Sequence, residues 1–247
     1  MNRRMKYILI SVISIVAVIT ALFLILMPFN KGDGSAKIGN GENKTDVIKL
    51  PQPVLKGEMS LEEALYKRRS VRQYSDEPLL LTAVSQLLWS AQGITDRNEG
   101  HRTTPSAGAL YPLEVYLIAG DVIDLSDGVY RYKPQDNELV LVLEGDVRDE
   151  LYKSAVSQAP VKEAPIVLVI TAVYERTTKK YGDRGIRYVH MEAGHSAENI
   201  CLQATALGLG TVTIGAFNDD AVKKVLNLPA DEVPLYILPV GKTKAGS

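Results

Sequence analysis

The chain has 247 residues, 46% hydrophobic and 23% charged, with a formal net charge of −1. That length allows one substantial domain with accessory segments, and the near-neutral charge removes the electrostatic case for nucleic acid as a partner. The single cysteine, Cys201, excludes an intrachain disulfide and a cysteine-rich metal site.

The N-terminus departs from this ordinary composition. Tyr7 to Met27 is apolar, broken only by Ser11, Ser14 and Thr20, and is preceded by Arg3, Arg4 and Lys6. About 20 uncharged residues suffice for a helix to cross the hydrocarbon layer, and flanking cations stay on the cytoplasmic side. A cleaved signal peptide would have a shorter apolar run ending at a small-residue cleavage site, which Leu-Ile-Leu-Met-Pro-Phe-Asn lacks. The expectation is a single-pass membrane protein, with residues 1–29 as a cytoplasmic N-terminus and anchor and the catalytic domain outside the cytoplasm. Residues 30–57, rich in Gly, Asn, Lys and Asp before Pro51 and Pro53, read as a flexible tether. The domain occupies residues 58–247.

Ser60-Leu-Glu-Glu63 is a capping box that opens a helix running to about Arg69. Thr82 to Gln92 carries Val84, Leu87, Leu88 and Ala91 on one face and stops at Gly93, a second helix. Glu114 to Ala119 is a strand, and Val129 to Tyr132 with Leu139 to Leu143 form a hairpin around Pro134 to Asn137. Asp146 to Ser157 is an amphipathic helix. Pro165 to Ala172 is a continuous apolar run, suited to a central strand covered on both faces. The longest helix spans about Ile186 to Leu207 and ends at Gly208. Thr211 to Ile214 returns as strand, Asn218 caps a short helix to Leu226, and Leu235 to Val240 is the last strand. Strands and helices interleave without a βαβ rhythm, so an α+β fold with a mixed sheet flanked by helices is expected.

Five constellations could carry chemistry. Lys67-Arg68-Arg69-Ser70-Val71-Arg72 places guanidinium forks and a hydroxyl together, as a phosphate requires, although cations at a helix C-terminus also serve the dipole alone. Pro105 to Pro112, with Ser106, Ala107 and Gly108, lets backbone approach a flat ligand, or is merely a tight loop. Lys179 to Tyr188 reads as a loop feeding the long helix, in which Lys180 and Tyr181 can exchange protons or simply face water. Glu192, His195 and Asn199 share a helix face as a polar seam. His190 and His195 are not at the i, i+4 spacing of a zinc-binding helix, so no metal is expected. Gly208 to Phe217 closes a helix and strand with small residues, among them Gly215 and Ala216.

In this order the segments resemble the nitroreductase superfamily, and within it the SagB- and ThcOx-type dehydrogenases. The resemblance rests on Leu50-Pro51, Ser60 to Leu65, Arg68 to Arg72, Pro105 to Pro112, Lys180-Tyr181 with Arg184 and Arg187-Tyr188, Glu192-Ala-Gly-His195 and Pro239-Val240-Gly241. It implies a homodimer holding FMN between subunits. Arg68, Arg69, Ser70 and Arg72 would grip the phosphate and ribityl chain, with Lys242 completing that grip. Ser106, Ala107, Gly108, Gly215 and Ala216 would lie by the ring. It further implies Lys180 and Tyr181 as the proton-transferring pair, while hydride passes between flavin N5 and a small molecule or modified peptide. The alternatives are an NAD(P)H-dependent nitro- or quinone reductase, and a flavin-binding or partner-recruiting module without turnover.

Overall fold

The computed structural model describes residues 46–244. The elements follow in chain order: β1 (Val47–Lys49), α1 (Leu61–Lys67), β2 (Leu79–Leu80), α2 (Leu81–Gln92), β3 (Ile94–Asp96), β4 (His101–Arg102), a 3-10 turn (Ala107–Ala109), β5 (Leu113–Ala119) and β6 (Val122–Ile123). Then come β7 (Gly128–Lys133), β8 (Glu138–Glu144), α3 (Arg148–Ser154), α4 (Pro160–Glu163), β9 (Ile166–Ala172), α5 (Glu175–Tyr181), α6 (Arg184–Ala206), β10 (Leu209–Thr211), α7 (Asp219–Val225) and β11 (Val233–Lys242).

The main sheet has seven strands in the order β1-β8-β7-β5-β9-β11-β10, each antiparallel to its neighbour. Parallel pairing enters at the β10 edge, where Ser70 bridges Thr211, and in the short β2–β6 ladder, so both pairing modes are present. Strand β9 lies inside the sheet between β5 and β11, and its seven residues are all buried, as its unbroken apolar run predicts.

Strand alternation divides the core into two layers. Val115, Leu117, Ile166, Leu168 and Ile170 face Val84, Leu87 and Leu88 of α2 and Val189, Ala193, Ala197 and Ile200 of α6. Tyr116, Ile118, Val167 and Val169 face Leu151 of α3, Val161 of α4 and Val222 of α7. The small residues at four-residue spacing on α6 let that long helix lie close on the sheet, and this places its polar face toward the loops after α2.

Several boundaries differ from expectation. Val47–Lys49 lies within the presumed tether, yet it pairs with β8, and the Val54 amide donates to Gln86. The folded unit therefore begins before Ser60. The helix expected over 146–157 stops at Ser154, because Val156 and Ser157 turn into the left-handed region. The strand expected over 211–214 ends at Thr211, with Ile214 only bridging Ile237.

The expected membrane placement is corrected. Among the described residues no helix is long and apolar enough to cross a membrane. With 23 residues α6 has the length, but it carries Arg184, Arg187, Glu192 and Glu198, which lipid would not tolerate. The Tyr7 to Met27 stretch, on which the anchor rested, lies outside the described residues.

Candidate active site

Ser60 caps α1 by accepting the Glu63 amide at 3.1 Å, and the chain leaves the helix at Arg68 in extended form. It is then sewn to the β10 edge. Val71 N–H donates to the Thr211 carbonyl at 2.9 Å, and Gly210 lies so close that an added Cβ would stand 2.6 Å from the Val71 side chain. The buried Tyr74 hydroxyl donates to the carbonyls of Val71 (2.9 Å) and Pro239 (3.1 Å), and the Ser75 amide donates to the Lys242 carbonyl at 3.0 Å.

This backbone framework presents the expected cations unequally. Arg72, Arg69 and Ser70 are exposed, and among the described residues Arg72 has no ion-pair partner. Arg69 turns its guanidinium back on the carbonyls of Tyr66 (2.9 Å) and Arg68 (2.7 Å). Arg68 is half-buried, 3.9 Å from Glu198. Lys242 is brought beside the segment by pairing, but its ammonium binds Glu77, which holds that carboxyl below its usual range. Gly215 and Ala216 are exposed beyond Ile214, and the Ala216 carbonyl accepts from Gln158 at 3.1 Å.

A second group forms around the small-residue loop. Gly108 has φ +63°, followed by Ala109 at +53° and Tyr111 at +46°. A Cβ on Gly108 would lie 2.8 Å from the Tyr181 hydroxyl and 2.9 Å from Lys180 Nζ. Both tips of the Lys-Tyr pair thus converge on Gly108. The pair sits on the last turn of α5, where the sequence reading had a loop. Glu175 in the first turn and its contact with Lys179 (3.5 Å) favour the helix despite two threonines, and Gly182 at φ +56° ends it.

What holds α5 against the loop is Arg176, which the sequence reading did not single out. Its guanidinium donates to the Tyr111 carbonyl (3.1 Å) and to Glu114 (2.6 Å), and Glu114 also accepts from Arg131 at 3.2 Å. Burial pushes the Glu114 carboxyl up, yet the two guanidiniums outweigh it and hold it below the usual range.

Ser106, Ala107 and Pro105 line a cleft of about 280 Å³ with Tyr188, Met191, Glu192 and His195. Ser106 Oγ accepts the Tyr111 amide at 2.9 Å and donates to Glu192 Oε2 at 2.5 Å. Glu192 is 2% exposed, and its other oxygen has no hydrogen-bond partner among the described residues. Burial raises its carboxyl to about 7, against the opposing pull of the Ser106 hydroxyl and the Arg102 guanidinium. Arg102 in turn donates to Gln92 at 3.0 Å and stacks 4.6 Å over the Tyr111 ring. The expected polar seam divides: Glu192 faces the loop, Asn199 donates to Thr104 Oγ1 at 3.1 Å, and His195 is exposed at the cleft. Cys201 is buried, its thiol pushed up to about 11 by burial.

The arrangement has recognisable relatives. Residues 65–242 match the model of the nitroreductase family. A nitroreductase-type protein of Methanocaldococcus jannaschii is 48% identical over 197 residues, spanning 80% of this chain and 98% of its own. The microcin B17-processing protein McbC of Escherichia coli is 30% identical over 166 residues, covering 64% of this chain and 61% of McbC. Among solved structures, a nitroreductase-type protein of Anabaena variabilis superposes with a TM-score of 0.72 at 32% identity, covering 85% of this chain and 45% of that one.

Proposed function

The chain belongs to the nitroreductase family of flavin-dependent oxidoreductases, and from that premise we propose that it binds FMN and oxidises a small molecule or modified peptide, with Lys180 and Tyr181 moving the proton. The residues present fit such a cofactor. Exposed Arg69 and Arg72 on a rigid backbone suit a phosphate monoester, and Arg72 is free to make charge-assisted bonds. Lys242 would join them only by giving up Glu77. The small loop at Ser106, Ala107 and Gly108, with Gly215 and Ala216, offers backbone to a flat ring.

FMN, when bound, supplies a two-electron acceptor for hydride. The protein supplies orientation and a place for the proton. The observation that carries this reading is the convergence of Lys180 Nζ and Tyr181 Oη on Gly108, which brings an amine and a phenol to one point of the loop. A peptide-like substrate is supported by the likeness to McbC, whose name describes it as processing microcin B17. A homodimer is supported by Leu61, Leu65 and Tyr66 on α1, which are 53–78% exposed and would gain from burial against a second copy.

A second reading, a nitro- or quinone reductase fed by NAD(P)H, draws on the greater identity to the Methanocaldococcus protein. Two variants separate them. With Lys180→Ala and Tyr181→Phe, FMN absorbance should persist in both. Dehydrogenation of a reduced substrate should fall sharply, whereas NAD(P)H-driven nitro reduction needs neither group. A protein that is colourless and fails to take up added FMN overturns both readings.

A further inference from the structure

Three neighbouring polar side chains beside the loop each have a buried atom without a partner among the described residues: Glu192 Oε1, Arg102 Nε and Gln92 Nε2. An enclosed polar atom without a partner is costly, so such a group normally has one when the protein is at work. Glu192 is the member of the three that lines the cleft, together with Ser106 and Ala107. The walls around it, Pro105, Ala107, Tyr188 and Met191, present mainly carbon, which suits a flat ring with one polar edge.

We propose that Glu192 is a cofactor-contacting residue, whose carboxyl pairs with the imide edge of the flavin ring that enters this cleft. The inference rests on the FMN reading above. An imide edge offers a carbonyl beside an N–H. A neutral carboxyl matches both: Oε1–H donates to the carbonyl, and Oε2 accepts from the N–H with the lone pair that Ser106 leaves free. Ser106 donates to Oε2, so it fixes Oε1 as the oxygen that carries the acid proton.

The surroundings agree with a carboxyl kept neutral. Arg102 from β4 is the charged group acting on Glu192, and it is shared with Gln92 of α2 and the Tyr111 ring. Ser106 faces Glu192 from the loop, while Tyr188 and His195 of its own helix line the same cleft. Ionisation, around pH 7, removes the donated hydrogen bond and sets a carboxylate against a carbonyl.

The test is the FMN dissociation constant of the full chain against pH, by quenching of flavin fluorescence, for the wild type, Glu192→Gln and Glu192→Leu. Glutamine presents the same donor and acceptor at every pH. The ratio of wild-type to Glu192→Gln dissociation constants is expected to rise about tenfold from pH 6 to pH 8.5, the equivalent of one hydrogen bond. The phosphate's own ionisation, at about pH 6, affects both proteins alike and cancels in the ratio. Glu192→Leu should bind weakly at all pH values. A flat ratio would mean that Ser106 and an enclosed water satisfy Glu192, and it overturns the proposal while leaving the FMN reading intact. Failure of the wild type itself to bind FMN overturns both. Should the variants fold poorly, calorimetry of wild type with FMN at pH 7.5 in two buffers of different ionisation heat decides: proton uptake on binding is expected, and its absence refutes the contact.

Discussion

Arg176 and Tyr111 join the two halves of the candidate catalytic centre: the guanidinium of one donates to the carbonyl of the other at 3.1 Å, so the helix bearing Lys180 and Tyr181 is pinned to the loop bearing Ser106 and Gly108. Arg176 also reaches Glu114, which Arg131 already grips. Its removal leaves Glu114 paired but the loop carbonyl without its donor.

Arg176→Ala should therefore destabilise the fold only moderately, by about 1–3 kcal/mol for hydrogen bonds made by a charged donor. Turnover should drop further than stability explains. Urea denaturation and steady-state kinetics check this together, and Arg176→Lys should not restore the two-point grip.

Gly108→Ala adds a methyl where φ is +63° and where the tips of Tyr181 and Lys180 already lie within 2.9 Å. The backbone cost is about 1–2 kcal/mol. Both tips belong to flexible side chains and will move aside, so the larger effect is on chemistry. Misplacement by about 1 Å can cost a hundredfold in rate. Substrate-driven flavin reduction should slow by about that factor, with FMN affinity changing much less.

Glu192 makes stability depend on pH with a definite sign. Its carboxyl sits at about 7 in the folded chain against 4.5 for an unperturbed one, so the folded state holds the extra proton between those values. Its contribution is complete below 4.5 and is lost as pH rises through 7. Between pH 5 and pH 8 the unfolding free energy of wild type should fall by about 2–3 kcal/mol relative to Glu192→Gln. Parallel pH profiles of the two proteins in urea denaturation would contradict this.

Arg72→Ala removes the exposed guanidinium that has no ion-pair partner among the described residues. FMN affinity should fall about ten- to a hundredfold, as for one or two charge-assisted hydrogen bonds. Arg69→Ala should cost less, because that guanidinium must first leave two backbone carbonyls. Titration with FMN ranks the two, and the double variant should purify without bound flavin.

What could be read in advance followed local chemistry. Ser60 and Asn218 announced their helices because each side chain caps an amide three residues on. The apolar run at β9 announced a strand covered on both sides. The first strand was missed because Val47, Ile48 and Lys49 are too few to show alternation amid polar neighbours; their pairing with β8 lies some ninety residues away. The short helix α5 was hidden by its β-branched Thr177 and Thr178. Within the site, Glu192 was noticed, but its bond to Ser106 spans 86 positions. Arg102 and Arg176 stood alone in sequence, with no spacing to mark them.

The backbone ladder that joins Gln73–Ser75 to Lys242–Lys244 has a consequence for biosynthesis. The arginines proposed to hold phosphate leave the ribosome well before the strand that ties down the chain behind them, since Pro239, which anchors Tyr74, lies 165 residues further on. A nascent chain lacking residues 233–244 would leave Gln73 to Ser75 without their backbone partners and only the β10 contacts of Ser70 and Val71 to align the segment. The proposed phosphate grip is therefore complete only once β11 has emerged from the exit tunnel.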